Sequence, residues 1–289
     1  MPARPDSPPS RALARIFSPT PLRAALAALW ALEGEIAVSL RPGLDHHVAH
    51  TRLQWWREEC RRCAAGEAQH PLTRELAIAF APAGTSALDA LTGLVDTAVW
   101  DLAAATFASR RELSAYCERW SAAMVEPLGR LLAPAPAPAA LRSIGRSLRE
   151  LELLLALAAE ARAARLRLPL DELAQAGAAP EELARPPWSA SLAALVRARH
   201  CSLRAELAAG VNALAPSAQP ALRGLVVWVA ITAAESRRAQ RLLPRAFAGR
   251  APRAPLDGWR AWRAARRAAA GRGLSVARHG GGGELRHGV

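Results

Sequence analysis

The stretch HTRLQWWREECRRC, residues 50–63, decides how this chain is read. It contains no Gly or Pro, and it places Trp55 beside Trp56 with Arg52 and Arg57 around them. On a helix, neighbouring side chains point about 100° apart, so the two rings cannot share a face. One ring can enter a core. The other must meet a second helix, a ligand or a partner. The arginines either pair with carboxylates or face an anion.

Working outward, the rest of the chain has the same character. It has 289 residues, 51% of them hydrophobic, which is enough to build a substantial core. Ala, Leu and Arg dominate and all favour helix, while aromatics are only 5%, so an all-α fold is expected. The formal charge is +13 and every basic residue is Arg. That balance favours anionic partners such as diphosphates or lipid headgroups. No nucleic-acid-binding signature accompanies it, so nucleic acid is not an expected partner.

Cys60 and Cys63 form a C-x2-C without a second pair, and His46, His47 and His50 have only Asp45 beside them. Neither group supplies a tetrahedral zinc set, so no metal site is expected there and the thiols read as reduced. No apolar run reaches the length of a membrane span; GLVVWVAITAA, 224–234, suits a buried helix.

The pattern predicts a flexible proline-rich lead over 1–20, a helical domain over 21–244, and a basic helix with a disordered tail over 245–289. Helices are expected from Pro21 to about Leu40, over 48–66, from Pro71, over 85–107, and over 109–132. The last of these begins with Ser109 and Glu112, the spacing of a capping box. A stiff APAPAPA connector at 133–139 leads to a long helix over 139–165. An antiparallel pair then occupies 189–213 and 217–243.

Three stretches, in this order, resemble the squalene/phytoene synthase family. They are RLQWWREEC (52–60) preceded by ALWALEGEIA (28–37), the run LVDTAVWDLAAATFASRRELSAYCERW within 94–132, and ARLRLPLDELAQAG (164–177). The resemblance implies an all-α, isoprenoid-synthase-like bundle around a central cavity. It also implies chemistry in which two prenyl diphosphates are joined, with Mg²⁺ held by two D-x-x-x-D motifs on facing helices. That spacing puts both carboxylates of a motif on one helix face.

Here the motifs are missing. Counting back from LPLDEL and RLQWWR puts Ala156 and Glu160, and Ala37 and Arg41, at the expected positions. Independently of register, no two of the 25 acidic residues stand three or four apart. The residues left as candidates for a cavity or anion site are Glu35, Arg52, Gln54, Trp55, Trp56, Arg57, Asp96, Asp101, Glu160, Arg162 and Arg165. No cofactor is expected beyond the Mg²⁺ that the resemblance implies for active members.

Two functions follow. One is a divergent protein that binds prenyl diphosphate or another lipid in isoprenoid metabolism. The other is a non-catalytic protein partner resembling the complex I assembly factors of the same family. A further candidate lies near the end of the chain. Trp259 and Trp262 stand three apart with Arg263, Arg266 and Arg267 around them, and Asp257 is placed to cap the helix. The pattern suits either an anionic membrane surface or docking of the rings onto the bundle. The expected location is cytoplasmic, with peripheral attachment at the inner face of the membrane.

Overall fold

The computed structural model describes residues 9–41, 43–103, 106–132, 136–247 and 254–274. The expected glycine-rich tail at 280–283 and residues 133–135 of the proline connector lie outside them. The chain forms an α-bundle: α1 (Pro9–Phe17), α2 (Thr20–Val38), α3 (His46–Ala64), α4 (Pro71–Phe80), α5 (Thr92–Leu102), α6 (Arg110–Met124) and α7 (Glu126–Arg130). It continues with α8 (Pro138–Leu155), α9 (Leu157–Arg162), α10 (Leu170–Gln175), α11 (Ala190–Asn212), α12 (Arg223–Leu242) and α13 (Asp257–Ala269). Among the described residues there is no strand. Nor is any helix there long and apolar enough to cross a membrane.

Residues 9–17 were expected in the flexible lead and instead form α1, which packs along α12. Gly224 allows the approach, because a Cβ there would lie 1.8 Å from Ser18 Oγ. Leu13 and Phe17 add apolar contact against Val227 and Ile231 of α12. A short helix of nine residues, with Pro9 at its first position, is thus held by burial against α12. Gly145 plays the same part between α6 and α8, where a Cβ would meet Ser121 Oγ at 2.2 Å. These two close approaches bring α1, α6, α8 and α12 around one interior volume.

Several boundaries differ from expectation. The helix expected over 109–132 breaks at Val125, because Pro127 cannot donate a backbone hydrogen bond and its ring crowds the preceding turn. The long helix expected over 139–165 breaks at Ala156, whose N–H reaches back to the carbonyls of Glu152 and Leu153. The segment over 85–107 opens as a 3-10 stretch, Thr85–Leu91, before α5. Ser109 is the N-cap of α6 but makes no side-chain cap bond. Glu112 takes the N–H of Ala108 instead, so the capping box is incomplete. Asp45, by contrast, caps α3 by accepting from His47 and Val48 N–H.

Candidate functional site

The interior volume holds a network of charges. Arg11 reaches in from α1, donating to Glu33 of α2 and, at 3.0 Å, to Glu152 of α8. Its guanidinium carbon lies 5.3 Å from the ring centre of Trp228, 5.8 Å from Trp30 and 5.9 Å from Trp120. Trp120 Nε1 donates to Glu33 Oε1 at 2.8 Å, and Trp228 Nε1 donates to Glu152 Oε1 at 3.2 Å. Three tryptophan faces and two carboxylates therefore enclose one guanidinium, an arrangement that suits a flat, delocalised cation.

The network continues from there. Arg149 lies 3.5 Å from Glu33 and 3.8 Å from Glu152, and donates to Tyr116 Oη at 3.1 Å. Tyr116 donates to Asp101, which accepts from Arg167 at 2.7 Å. Arg167 and Arg165 both bind Glu160, at 2.8 Å and 2.9 Å. Four guanidiniums (Arg11, Arg149, Arg165, Arg167) thus face four carboxylates (Glu33, Asp101, Glu152, Glu160). The charges balance inside the bundle, as desolvated ions require.

The ionisation of these groups follows from that pairing. Burial works against the charge on Glu33, but Arg11 and Arg149 outweigh it and hold its pKa below the usual range. Burial likewise opposes the charge on Arg11, and Glu152 and Glu33 overcome it and raise its pKa. Burial, with the negative charge of Asp101, outweighs Arg149 and Arg167 and pushes the Tyr116 hydroxyl up to about 12. Glu160 is held low because Arg165 and Arg167 outweigh its desolvation. Glu33, Glu160 and Arg11 are therefore charged around neutral pH, with Tyr116 as a neutral bridge.

Of the residues singled out from the sequence, the structure brings Asp101, Glu160 and Arg165 into this network. The others lie elsewhere. Arg57 pairs with Asp96 at 2.7 Å, toward the surface between α3 and α5. Arg52 is exposed, and the exposed Gln54 reaches only His50. Arg162 donates to the carbonyl of Ala184. Trp56 is buried and Trp55 is 45% exposed, its ring edge-on to Trp56 at 4.9 Å and to His70 at 5.9 Å. The WW helix thus contacts α4, α5 and the 3-10 stretch before α5, away from the charged interior.

Glu35 stands two residues from Glu33 and so points away from it. The facing carboxylates are Glu33 and Glu152, one turn before Ala37 and Ala156. Each helix offers one acidic side chain where a D-x-x-x-D motif would offer two. Among the described residues no group of three or more His, Cys, Asp or Glu is placed to hold a metal ion.

Sequence reasoning missed Arg11, Glu33, Tyr116, Trp120, Arg149, Glu152, Arg167 and Trp228. One signal was available. Glu33 sits among Leu29, Trp30 and Ile36 on the apolar stripe of α2, and Glu152 sits among Leu148, Leu151 and Leu153 on α8. A carboxylate on a core stripe demands a buried partner.

At the C-terminal helix, Trp259 and Trp262 are 52% and 46% exposed, so the rings do not dock onto the bundle. Arg263 and Arg266 lie beside them, while Arg267 turns back to the carbonyls of Arg272 and Gly273. Asp257 does not cap α13. It is buried, pairing with Arg238 and Arg260 and accepting the N–H of Ala254.

Comparison with known proteins places this architecture. A dehydrosqualene synthase crystal structure, solved in complex with ligand, superposes with a TM-score of 0.70 at 15% identity, covering 90% of each chain. Squalene synthase HpnC from Alicyclobacillus acidocaldarius superposes with a TM-score of 0.63 at 19% identity, covering 82% of this chain and 89% of that one. No curated protein sequence matches. The squalene/phytoene synthase profile matches residues 5–278, all but the two ends of the chain, and the chain belongs to that family.

Proposed function

We propose that this chain is a non-condensing member of its family, a binding or interaction protein whose interior carries its own cation. The observation that supports the reading is the seat of Arg11 between Glu33 and Glu152, on two facing helices. Joining prenyl diphosphates in active members calls on Mg²⁺ to neutralise the departing diphosphate. The donor set here does not fit that ion. Each helix supplies one carboxylate, and both carboxylates are already bonded to Arg11 and neighboured by Arg149. A metal would have to displace a tethered guanidinium from a site lined by three indoles. The interior is polar and rich in arginine, so a lipid diphosphate remains the most suitable ligand class, but it would compete with four carboxylates for those arginines. A role as a protein partner, as in the complex I assembly factors that the sequence resembles, is the second form of the same non-condensing reading.

The test is incubation of the purified protein with farnesyl or geranylgeranyl diphosphate and Mg²⁺, followed by extraction and mass spectrometry. The expected result is no squalene, phytoene or dehydro-product above a heat-killed control. Product that forms and disappears with EDTA overturns the proposal.

A further inference from the structure

Helix α13 is built the wrong way round for a helix that merely closes a bundle. The apolar residues it buries are small: Ala261, Ala264 and Ala265 pack with Val227 and Ile231 of α12 and with Leu13 and Phe17 of α1, and Ala268 joins the main core. The large rings of Trp259 and Trp262 face outward instead. Each ring carries a cation one turn on, with the Arg263 guanidinium 4.6 Å from the Trp259 ring centre and Arg266 5.1 Å from Trp262. Asp257, clamped by Arg238 and Arg260, fixes the start of the helix and so the direction in which the rings point.

We infer that the Trp259–Trp262 face of α13 is the seat for an anionic phospholipid surface. The combination is specific to a bilayer interface. Indoles lie at headgroup depth with their apolar faces toward the acyl boundary, and guanidiniums held beside them meet phosphates. A neighbouring feature points the same way. Partial desolvation and the nearby Arg204, Arg260, Arg241 and Arg238 all depress the pKa of Arg237 on α12. Positive charge is thus concentrated on α12 beside α13, which favours an anionic partner surface. The inference is independent of the chemistry of the core, since a condensing and a non-condensing protein would use this face alike.

The test is co-sedimentation of the full-length protein with vesicles of phosphatidylcholine containing one quarter phosphatidylglycerol, against pure phosphatidylcholine, at low and high salt. Truncation of α13 is unsuitable, because it would uncover Val227 and Ile231, both fully buried. The variants are W259A/W262A and R263E/R266E, at exposed positions. Binding of the parent to anionic vesicles is expected at low salt, weakened by high salt, with each variant binding about tenfold or more weakly. Melting temperatures of the variants should match the parent. Should the tryptophan variant not fold, R263E/R266E carries the same test. No binding by the parent, equal binding to both vesicle types, or equal binding by a folded variant overturns the assignment; the first outcome would leave the face to a protein partner.

Discussion

Replacing Arg11 by Met keeps most of the side chain's volume and removes its charge. Two carboxylates then lose their nearest cation. Glu33 retains the indole N–H of Trp120 and a longer contact to Arg149, and Glu152 retains Trp228 and Arg149. Breaking a buried ion pair from one side costs about 3–5 kcal/mol, and the surviving partners place this case toward the lower end. Loss of the guanidinium's contact with three indoles adds roughly 1 kcal/mol. A deficit of about 3–4 kcal/mol corresponds to a melting temperature roughly 10 °C lower in a domain of this size.

The deficit should also depend on pH. In the parent, the pKa of Glu33 lies below the usual carboxylate range, so its charge stabilises the fold above that range, and this contribution is lost as pH falls through the folded pKa. Without Arg11 the pKa rises and Glu33 can take up a proton, so R11M should lose less, relative to the parent, at pH 5 than at pH 7.5. Urea denaturation followed by circular dichroism at both values reads the difference. The double variant R11M/E33Q should recover much of the loss, because it removes one charge of each sign and leaves Glu152 with Arg149. If R11M melts within about 1 kcal/mol of the parent at both pH values, Arg11 does not hold the interior together. If the double variant is as unstable as the single one, the cause is packing and not charge.

The opening helix and α12 supply two more expectations. Trp56→Ala should cost about 3–5 kcal/mol because the ring is buried, whereas Trp55→Ala should cost under about 1 kcal/mol, and equal effects in thermal melts would contradict the assignment of faces. Glu235 is buried with Oε1 unpartnered, and burial, aided by the negative charges of Glu152 and Asp257, outweighs Arg238 and raises its pKa to about 7. Stability should therefore be lost as pH rises from the ordinary carboxylate value through 7, and E235Q should gain about 2 kcal/mol on the parent between pH 5 and pH 8.5, with parallel profiles counting against it.

The elements with a local signature were legible. Pro71 at the start of α4 and the alanine-rich α13 carry their boundaries in their own residues, whereas α12, expected from 217, starts only at Arg223 after a run of turns. The WW pair announced one buried and one outward ring, but choosing between them required knowing that α4 and His70 would lie beside the helix. The break at Ala156 has no Pro or Gly to mark it, and arises where the chain must turn Glu160 toward Arg165 and Arg167. Arg11 was the least visible of all. Its segment is short, and only the groove formed by α12 and the paired carboxylates beyond it give the segment a reason to fold.

That last point also bears on how the bundle holds two facing carboxylates when no two acidic residues stand three or four apart. Facing helices that retain Glu33 and Glu152 need positive charge between them, since two desolvated carboxylates repel strongly in a low dielectric. A dissociable ion supplies that charge only at sufficient concentration and only where enough oxygens surround it. An arginine from α1 is always present, brings five fixed donors, and tolerates the indole faces that a hydrated divalent ion does not. Once Arg11 occupies the gap, a second carboxylate at the half-buried position 156 would be a charge without a counterion, and alanine there removes that cost, whereas Ala37 is exposed and carries none. The arginine and Ala156 are therefore one physical solution. An acidic residue at 156 alone would add charge to a site already neutral, so Ala156→Asp should lower the melting temperature unless Arg11 is removed as well.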